Sequence, residues 1–485
     1  MKTPAYLGPI HHPAVGIRIP EVFLEGILSA FKEKRVAGTL MLSFVRETAP
    51  EDVINAPPGV YEVSRGHTGT SIRKYLTMGA EAARAKGVLV EMEADHITIT
   101  TSPTRAVKRI SGAGFAEPLT EEEYKEAMEY VKREVDEAVS TGYVNFFTVD
   151  GCELIEYKYE SMSPADLNRE FDEVFGEEGK RILERYVGKT FKFITARGRY
   201  FYVKFDEERV MRLALKYRRS IGGLRELVGY IRSRMGDADF GLEVAFDETP
   251  SITRYDEFVF YLNELKVAGI EPDFVAPNVG FEKRVDYTGD LSVLGTRVEA
   301  LAAIARAYGA LLSFHSGSGS SPYGGKGKGV YETLLGATGA ALKYKVSGVY
   351  FELLMDVLYK HPKDSRQFRL FTEIYDSVYR FIKEELEKDG PLASPALRRQ
   401  VKEYERNGRR YDPRAQWFRY YSFLALNLRD KHGRRPFREA LVEMYEGDTD
   451  FKATVDREVK ALTLRLIDGL KFEGNISNTV PLNPP

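Results

Sequence analysis

The chain has 485 residues, of which 43% are hydrophobic and 29% are charged, and its formal net charge is -2 at pH 7. This length exceeds that of a single compact core, so we expect one large domain with insertions, or two domains. The balanced charge argues against nucleic acid as a partner, and the single Cys152 excludes an internal disulfide framework and a cysteine-based zinc site.

Further features of composition indicate where such a protein works. No run approaches the roughly 18 apolar residues of a membrane span, and no export signal pattern is visible, so we expect a cytoplasmic protein without a membrane partner. Scarce glutamine, a single cysteine and abundant charge are typical of a thermophile. Composition does not decide between a monomer and a homo-oligomer.

Short strand-like runs alternate with stretches of helical periodicity along the first 350 residues. Eight runs that alternate with helices predict an α/β fold, a (β/α)8 TIM-like barrel, with a doubly wound open sheet as the alternative. In chain order the predicted strands are 38–44, 60–65, 88–94, 143–149, 240–246, 273–276, 310–314 and 346–351. Predicted helices between them include 71–85, 121–139, 255–268 and 294–308.

The spacing of these runs predicts four segments. The connection between the fourth and fifth runs is too long for a simple loop, and its helical and hairpin-like stretches predict an inserted α+β subdomain. This subdomain would either cap the mouth of the barrel or decorate its periphery. We assign residues 1–150 to the first half of the barrel, 151–236 to the insertion, 237–354 to the second half and 355–485 to a helical C-terminal extension.

Alternation along two runs predicts buried acidic side chains. In the runs 88–95 and 241–248, one face is apolar and would pack against helices, so the other face would point into the barrel. Buried carboxylates are costly unless a cation or hydrogen-bond donors lie nearby. The inward-facing acidic residues predicted in this way are Glu91, Glu93, Asp95, Glu243 and Asp247.

Two histidines follow strand-like runs in the same way. His96 comes directly after Asp95, and His315 shares the predicted interior face of its run with Ser313. Two imidazoles and a carboxylate suit a divalent cation such as Zn, Mn, Co or Ni. We therefore predict His96, Glu243 and His315 as metal ligands, while three unconnected polar residues remain the alternative.

Other polar residues near predicted strand ends are candidates for binding a substrate. His67 and Thr68 precede a predicted helix, where they would meet an anionic group or simply cap the helix. The Gly/Ser-rich stretch after the seventh run would hold a polar group through Ser316, Ser318 and Lys326, or would be a flexible loop. After the sixth run, Asn278 could hold a sugar hydroxyl and Lys283 could donate a proton, unless its cluster is only a solvated ion-pair group.

Taken together, these motifs resemble the tagaturonate epimerases, metal-dependent epimerases of sugar acids. The similarity spans roughly residues 60–350. The insertion of Gly319 to Gly325 before Lys326 departs from the family pattern, so it stays open whether the far end of the substrate is a uronate carboxylate or a neutral hydroxymethyl group. Some relatives interconvert fructose and tagatose at carbon 4. The stretches that carry the resemblance are Gly66-His67-Thr68-Gly69, Glu93-Ala94-Asp95-His96, Val244-Ala245-Phe246-Asp247-Glu248-Thr249, Phe281-Glu282-Lys283 with Asp286-Tyr287, and Phe314-His315-Ser316-Gly317-Ser318.

The resemblance implies inversion of a carbon that is β to a ketone, in a small sugar or sugar acid. The ketone does not acidify the hydrogen at that carbon, so simple deprotonation would be slow. Retro-aldol cleavage with re-addition and transient oxidation by a nicotinamide are the remaining routes. We prefer the retro-aldol hypothesis because no dinucleotide fingerprint is visible. Asp95 would take the hydroxyl proton, and Asp247 or Lys283 would serve the opposite face. A metal-dependent aldolase, a keto-sugar isomerase and a non-catalytic carbohydrate-binding barrel are the alternatives.

Overall fold

The computed structural model describes residues 3–105, 117–408 and 411–479. Eight parallel strands, named β1 to β8 in chain order, close into a barrel, because each pairs with its neighbours in sequence and β1 pairs with β8. The prediction of a (β/α)8 barrel is therefore confirmed. The strands are β1 His12–Gly16, β2 Gly38–Ser43, β3 Val90–Thr98, β4 Phe146–Asp150, β5 Gly241–Phe246, β6 Phe274–Pro277, β7 Leu311–Phe314 and β8 Leu342–Val346.

Helices surround the barrel and continue beyond it. None of the helices in the described ranges is long and apolar enough to cross a membrane. In the barrel and its insertion they are Pro20–Glu33, Glu51–Asn55, Ile72–Lys86, Glu121–Ser140, Pro164–Phe175, Glu177–Tyr186, Glu207–Met235, Tyr255–Val267, Leu291–Ala307, Val330–Thr338 and Gly348–Lys360. In the C-terminal extension they are Arg366–Glu387, Pro395–Arg406, Gln416–Tyr421, Pro436–Gly447 and Thr449–Gly469.

Two of the eight predicted strands were wrong, and one strand was missed. Residues 60–65 form bends and turns rather than a strand. Val60 stays 58% exposed, and the positive-φ residues Gly59 and Gly66 stand at the two ends of the segment. The true first strand is β1, which sequence reasoning overlooked. The last predicted strand, 346–351, began where β8 ends and belongs mostly to the helix Gly348–Lys360.

Charged side chains fill much of the barrel interior, as alternation predicted for the acidic ones. Glu93 is fully buried and lies 2.7 Å from Lys343 Nζ and 2.5 Å from Lys345 Nζ. Lys345 also lies 2.7 Å from Asp95 and 2.9 Å from Glu243. Since both lysines belong to β8, that strand supplies the cations that offset the buried carboxylates of β3 and β5.

The insertion packs on the outside of the barrel rather than over its mouth. Its helix Glu177–Tyr186 ends at a tyrosine whose ring lies 4.8 Å from that of Phe260, on an outer helix. Its antiparallel hairpin, Phe191–Ile194 with Tyr200–Val203, is fixed by an ion pair between Arg199 and Glu299. These contacts lie on the outer surface of the barrel.

The C-terminal extension reaches the mouth instead. Its helix Thr449–Gly469 packs closely on Pro20–Glu33, since a methyl group on Gly26 would lie 2.7 Å from Val459. An earlier segment, Gln416–Tyr421, continues into a short 3-10 helix in which the ring of Phe423 lies 4.1 Å from that of His67. The extension therefore covers the end of the barrel where the strand carboxyl termini meet.

Candidate active site

A cavity of about 170 Å³ opens at the carboxyl ends of the barrel strands. Its polar walls come from the residues after β1, β2, β6, β7 and β8 and from the end of β3, while the C-terminal extension adds aromatic rings. In (β/α)8 enzymes, catalytic groups collect at this end of the barrel. No residue of the insertion 151–236 is among those that line this cavity within the described chain.

Three side chains, one near the end of β3 and two just after β5 and β7, converge at this end of the barrel. His96 Nε2 lies 3.0 Å from His315 Nδ1, which in turn lies 3.1 Å from Asp247 Oδ1. One ligand atom from each residue falls within 4.8 Å of the other two. Two imidazoles and a carboxylate at this spacing are chemically suited to hold one divalent cation.

Each imidazole meets a second carboxylate on its other nitrogen. His315 Nε2 lies 2.6 Å from Glu243 Oε1, and His96 Nδ1 lies 3.4 Å from Asp150 Oδ2. In metal sites such outer carboxylates orient the histidine ligands and make them more basic. The arrangement fits a metal site in which Asp247 belongs to the three-residue cluster, while Glu243, the ligand predicted from the sequence, contacts the other nitrogen of His315.

Glu243 is placed differently because its strand position is deeper in the barrel than that of Asp247. Its side chain is fully buried and is also within 2.9 Å of Lys345 and 3.4 Å of Lys343. These cations already neutralise it. Asp247 comes after the last residue of β5 and thus reaches the level of the two imidazoles.

Irregular backbone orients the two histidines of the cluster. The pairing of β3 with β4 shifts register between Ala94 and Ile97, and His96 itself has a φ of 45°. A bulge of this kind redirects one side chain without ending the strand. Ser316, which follows His315, has a φ of 56°. Left-handed conformations in residues other than glycine cost energy and often occur at functional sites.

The electrostatics favour a positive charge within the cluster. Burial alone would lower the pKa of His315, but attraction to Asp247, together with hydrogen bonds to Asp247 and Glu243, raises it to about 9. A cation at this point would replace the proton, since metal ligands must give up their protons. The donor set therefore fits a divalent ion chemically as well as geometrically.

Asp95 lies beside the cluster and lines the cavity. Burial would raise its pKa, but attraction to Lys345, His96 and His315 outweighs burial and holds the pKa below its usual range. Ser43 Oγ donates to its second oxygen at 2.6 Å. This carboxylate is consequently ionised and held in one orientation.

Four other predicted residues also line the cavity. These are His67, Lys283, Ser316 and Ser318. Burial and the nearby Arg18, Arg46 and Arg284 hold the pKa of His67 well below its usual value, so its ring is neutral. Lys283 Nζ lies 3.1 Å from Glu248 Oε1.

Three predicted binding residues make hydrogen bonds to loop backbone groups, and their role in binding stays a prediction. Thr68 donates from Oγ1 to the carbonyl of Glu47, at 2.6 Å. Asn278 binds the backbone of its own and the preceding loop, accepting from the amide of Gly280. Lys326 is fully buried, and its ammonium donates to loop carbonyls, including that of Ser318. None of the three lines the cavity, because each satisfies loop backbone groups.

Sequence reasoning missed most of the cationic residues of the cavity. Lys345 belongs to β8, whose sequence Leu342-Lys343-Tyr344-Lys345-Val346 alternates lysine with apolar residues. This alternation was the available signal, but the predicted strand started too late to use it. Arg18, Arg46 and Arg284 lie in loops after β1, β2 and β6, where no periodic pattern marks them.

Comparison with known proteins identifies the family of the chain. The family model described as tagaturonate epimerase matches residues 115–388, more than half of the chain. A tagaturonate/fructuronate epimerase of Thermotoga maritima is 29% identical over 253 residues, which is 51% of this chain and 48% of that protein. The aligned region therefore spans about half the length of this curated relative.

Solved structures show a similar fold. The glycerol-complexed fructuronate-tagaturonate epimerase of Cohnella laeviribosi superposes with a TM-score of 0.65 at 17% identity, over 96% of this chain and 83% of that one. The native form of the same enzyme gives a TM-score of 0.63 at 16% identity, over 96% and 82%. On the evidence of the family match, the chain belongs to the tagaturonate epimerase family.

Proposed function

We propose that this protein is an epimerase that interconverts tagaturonate and fructuronate and depends on a divalent cation. The family match and the printed activity of the Thermotoga maritima relative support the reaction. The observation that carries the proposal is the convergence of His96, Asp247 and His315 next to a cavity that His96, His315 and Asp95 line. Such an enzyme would act in the cytoplasm on a small sugar acid.

His96, Asp247 and His315 would hold the cation, with Glu243 and Asp150 orienting the two imidazoles. A bound Zn, Mn, Co or Ni ion supplies Lewis-acid chemistry, which lowers the pKa of a hydroxyl and withdraws electrons from a ketone oxygen. Because the pKa of the hydroxyl would fall, a carboxylate that itself has a low pKa would be able to accept the hydroxyl proton. The cation assignment rests on donor type and spacing.

The chemical problem is a stereocentre β to the ketone. In a retro-aldol step the hydroxyl oxygen on the β carbon loses its proton and forms the aldehyde C=O bond, the bond between the β and α carbons breaks, and its electron pair enters the ketone fragment as an enediolate. Rotation of the aldehyde about its remaining bond presents its other face. Re-addition forms the carbon–carbon bond again and returns the proton, so no oxidant or reductant is consumed.

Two residues of the chain would transfer protons on opposite faces of the inverting carbon. Asp95 would accept the hydroxyl proton, since it lines the cavity and is fixed by Ser43 and Lys345. Lys283, on another wall, would serve the opposite face. Asp247 is the less suitable of the two earlier candidates, because its carboxylate faces His315 within the ligand cluster.

The cover over the cavity favours an epimerase over an aldolase. An aldolase must release the aldehyde fragment, whereas an epimerase must keep it until re-addition. Tyr420, Tyr421 and Phe423 of the C-terminal extension line the cavity and would help to keep the fragment in place. The residues that bridge this segment to the barrel include Arg419, which lies 2.9 Å from Glu352.

Isotope labelling tests the reaction and its mechanism together. The protein would be incubated with tagaturonate carrying deuterium at the inverting carbon, with and without a chelator, and the products separated by chromatography. We expect fructuronate that retains all the deuterium, and no product after chelation. Loss of label to solvent would contradict retro-aldol chemistry, and undiminished turnover after chelation would contradict the metal requirement.

A further inference from the structure

One wall of the cavity carries more positive than negative charge. Arg46 lies 2.9 Å from Glu248, which also pairs with Lys283 at 3.1 Å. Arg284 lies 3.4 Å from Glu352, which Arg419 shares at 2.9 Å. Arg18 pairs with Glu47. Within the described residues, four cations that line the cavity, together with Arg419, which does not line it, thus share three carboxylates.

Three of these arginines keep an unused nitrogen, and in Arg46 it is Nε. Nη1 of Arg18 and Nη1 of Arg284 are buried and have no hydrogen-bond partner among the described residues. The side chains are only 9% and 12% exposed, and both residues line the cavity. A buried guanidinium donor without an acceptor is costly, so a ligand with acceptor oxygens would be favoured there.

The start of a helix lies at the same point. A methyl group on Gly348 would lie 3.2 Å from Arg284 Nη2 and 3.4 Å from Arg18 Nη2, so the two guanidinium groups flank this glycine. Gly348 is the first residue of a helix of 13 residues, and it lines the cavity with Ser347. The first amides of a helix have no partner within it and attract anions.

We propose that Arg18 and Arg284, with the amino end of the Gly348–Lys360 helix, bind the carboxylate of a keto-hexuronate. This rests on the proposed function and assigns the substrate's far end to this wall, rather than to the Gly/Ser-rich loop and Lys326. Arginine binds carboxylates through two parallel hydrogen bonds, which suits paired guanidiniums. The ketone would then lie toward His96 and His315, which line the same cavity.

The charge balance distinguishes a carboxylate from a neutral hydroxymethyl group. A hydroxymethyl group would leave the excess positive charge of the wall uncompensated. Burial, together with repulsion from Arg18 and Arg419, already lowers the pKa of Arg284 to about 10. An anion would relieve this repulsion, so these arginines select sugar acids over ketohexoses.

Calorimetric binding of two ligands tests the proposal. Tagaturonate and tagatose differ only in the carboxylate, and both would be titrated into the metal-loaded wild type and Arg284→Gln. We expect the variant to bind tagaturonate about 10- to 100-fold more weakly, as for lost hydrogen bonds to a charged group, and tagatose within about threefold of the wild type. Arg457→Gln, at a side chain 66% exposed, is the control and should change neither affinity.

Equal affinity of the wild type for both ligands, or undiminished binding of tagaturonate by Arg284→Gln, would overturn the assignment. If thermal unfolding shows that this variant is not folded, Arg284→Lys keeps the charge but loses the paired donors. It should still weaken tagaturonate binding more than tagatose binding, and equal effects on both would overturn the proposal. Epimerisation measured on the same samples separates the two claims: arginine-dependent binding without turnover would refute the proposed function alone.

Discussion

Glu243 Oε1 lies 2.6 Å from Nε2 of His315, while Nδ1 of the same ring lies within 3.1 Å of both His96 Nε2 and Asp247 Oδ1. One imidazole therefore connects the charged interior of the barrel to the cluster at its mouth. The carboxylate fixes which nitrogen carries the proton and which is free for a cation.

Replacing Glu243 by Gln should weaken metal binding about 10- to 100-fold, because the outer carboxylate no longer raises the basicity of His315. Competition with a chelating indicator dye measures this affinity. Glu91→Gln is a matched control, since Glu91 is also fully buried in the barrel but bonds to Thr39 and the amide of Leu7. Equal metal affinities of Glu243→Gln and the wild type would contradict an orienting role.

Replacing Asp95 by Asn should reduce turnover of tagaturonate about 100-fold or more while metal content stays unchanged. The amide cannot accept the hydroxyl proton, and general-base catalysis contributes about 10²- to 10⁴-fold. Initial rates and elemental analysis of the same sample measure both quantities. Turnover at the wild-type rate would remove Asp95 from the mechanism.

Replacing Lys345 by Met should destabilise the fold by about 3–5 kcal/mol, because Glu93, Asp95 and Glu243 would lose their shared buried cation. Denaturant unfolding measures the free energy of unfolding. Lys388→Met removes a lysine that is 73% exposed, and it should change stability by less than about 0.5 kcal/mol. Similar stabilities of the two variants would show that the interior network contributes little.

Glu134 makes stability depend on pH. Its carboxyl accepts from the amide of Val45 at 2.8 Å, and burial raises its pKa from a usual value of 4.5 to about 8. The unfolded chain loses this proton near pH 4.5 and the folded chain only near pH 8, so stability falls as pH rises between these values. Glu134→Gln keeps the acceptor but has no proton to lose.

The variant should therefore gain stability relative to wild type as pH rises from 5 to 9, by on the order of a few kcal/mol. Thermal or denaturant unfolding at both pH values measures this difference. Glu129→Gln, at an exposed position of the same helix, should show the same relative stability at both. A pH-independent difference for Glu134→Gln would contradict the raised pKa.

The sequence allowed part of this account to be predicted. Strand alternation correctly placed Glu93, Asp95 and Glu243 in the barrel interior, because an apolar face must pack against helices. Alternation gives the face of a strand but not the height along the barrel, so it could not decide between Glu243 and Asp247 as the third residue of the cluster. That choice depends on how far β5 extends.

The other differences between the sequence-based predictions and the structure have physical causes of their own. Lys326 looked like a substrate-binding lysine within a Gly/Ser-rich loop, yet that loop uses its ammonium to satisfy its own carbonyls. Arg18 and Arg284 lie in loops, and their meeting beside Gly348 is a consequence of barrel closure between β1 and β8. Contacts of this kind follow only from the tertiary fold.

Anomalous X-ray scattering from crystals grown with Mn²⁺ tests the central claim most directly. We expect one strong peak in contact with His96 Nε2, His315 Nδ1 and the carboxylate of Asp247, and this peak should be absent in crystals of His315→Ala. A peak coordinated by other residues of the chain, or no peak in wild-type crystals at saturating Mn²⁺, would contradict it.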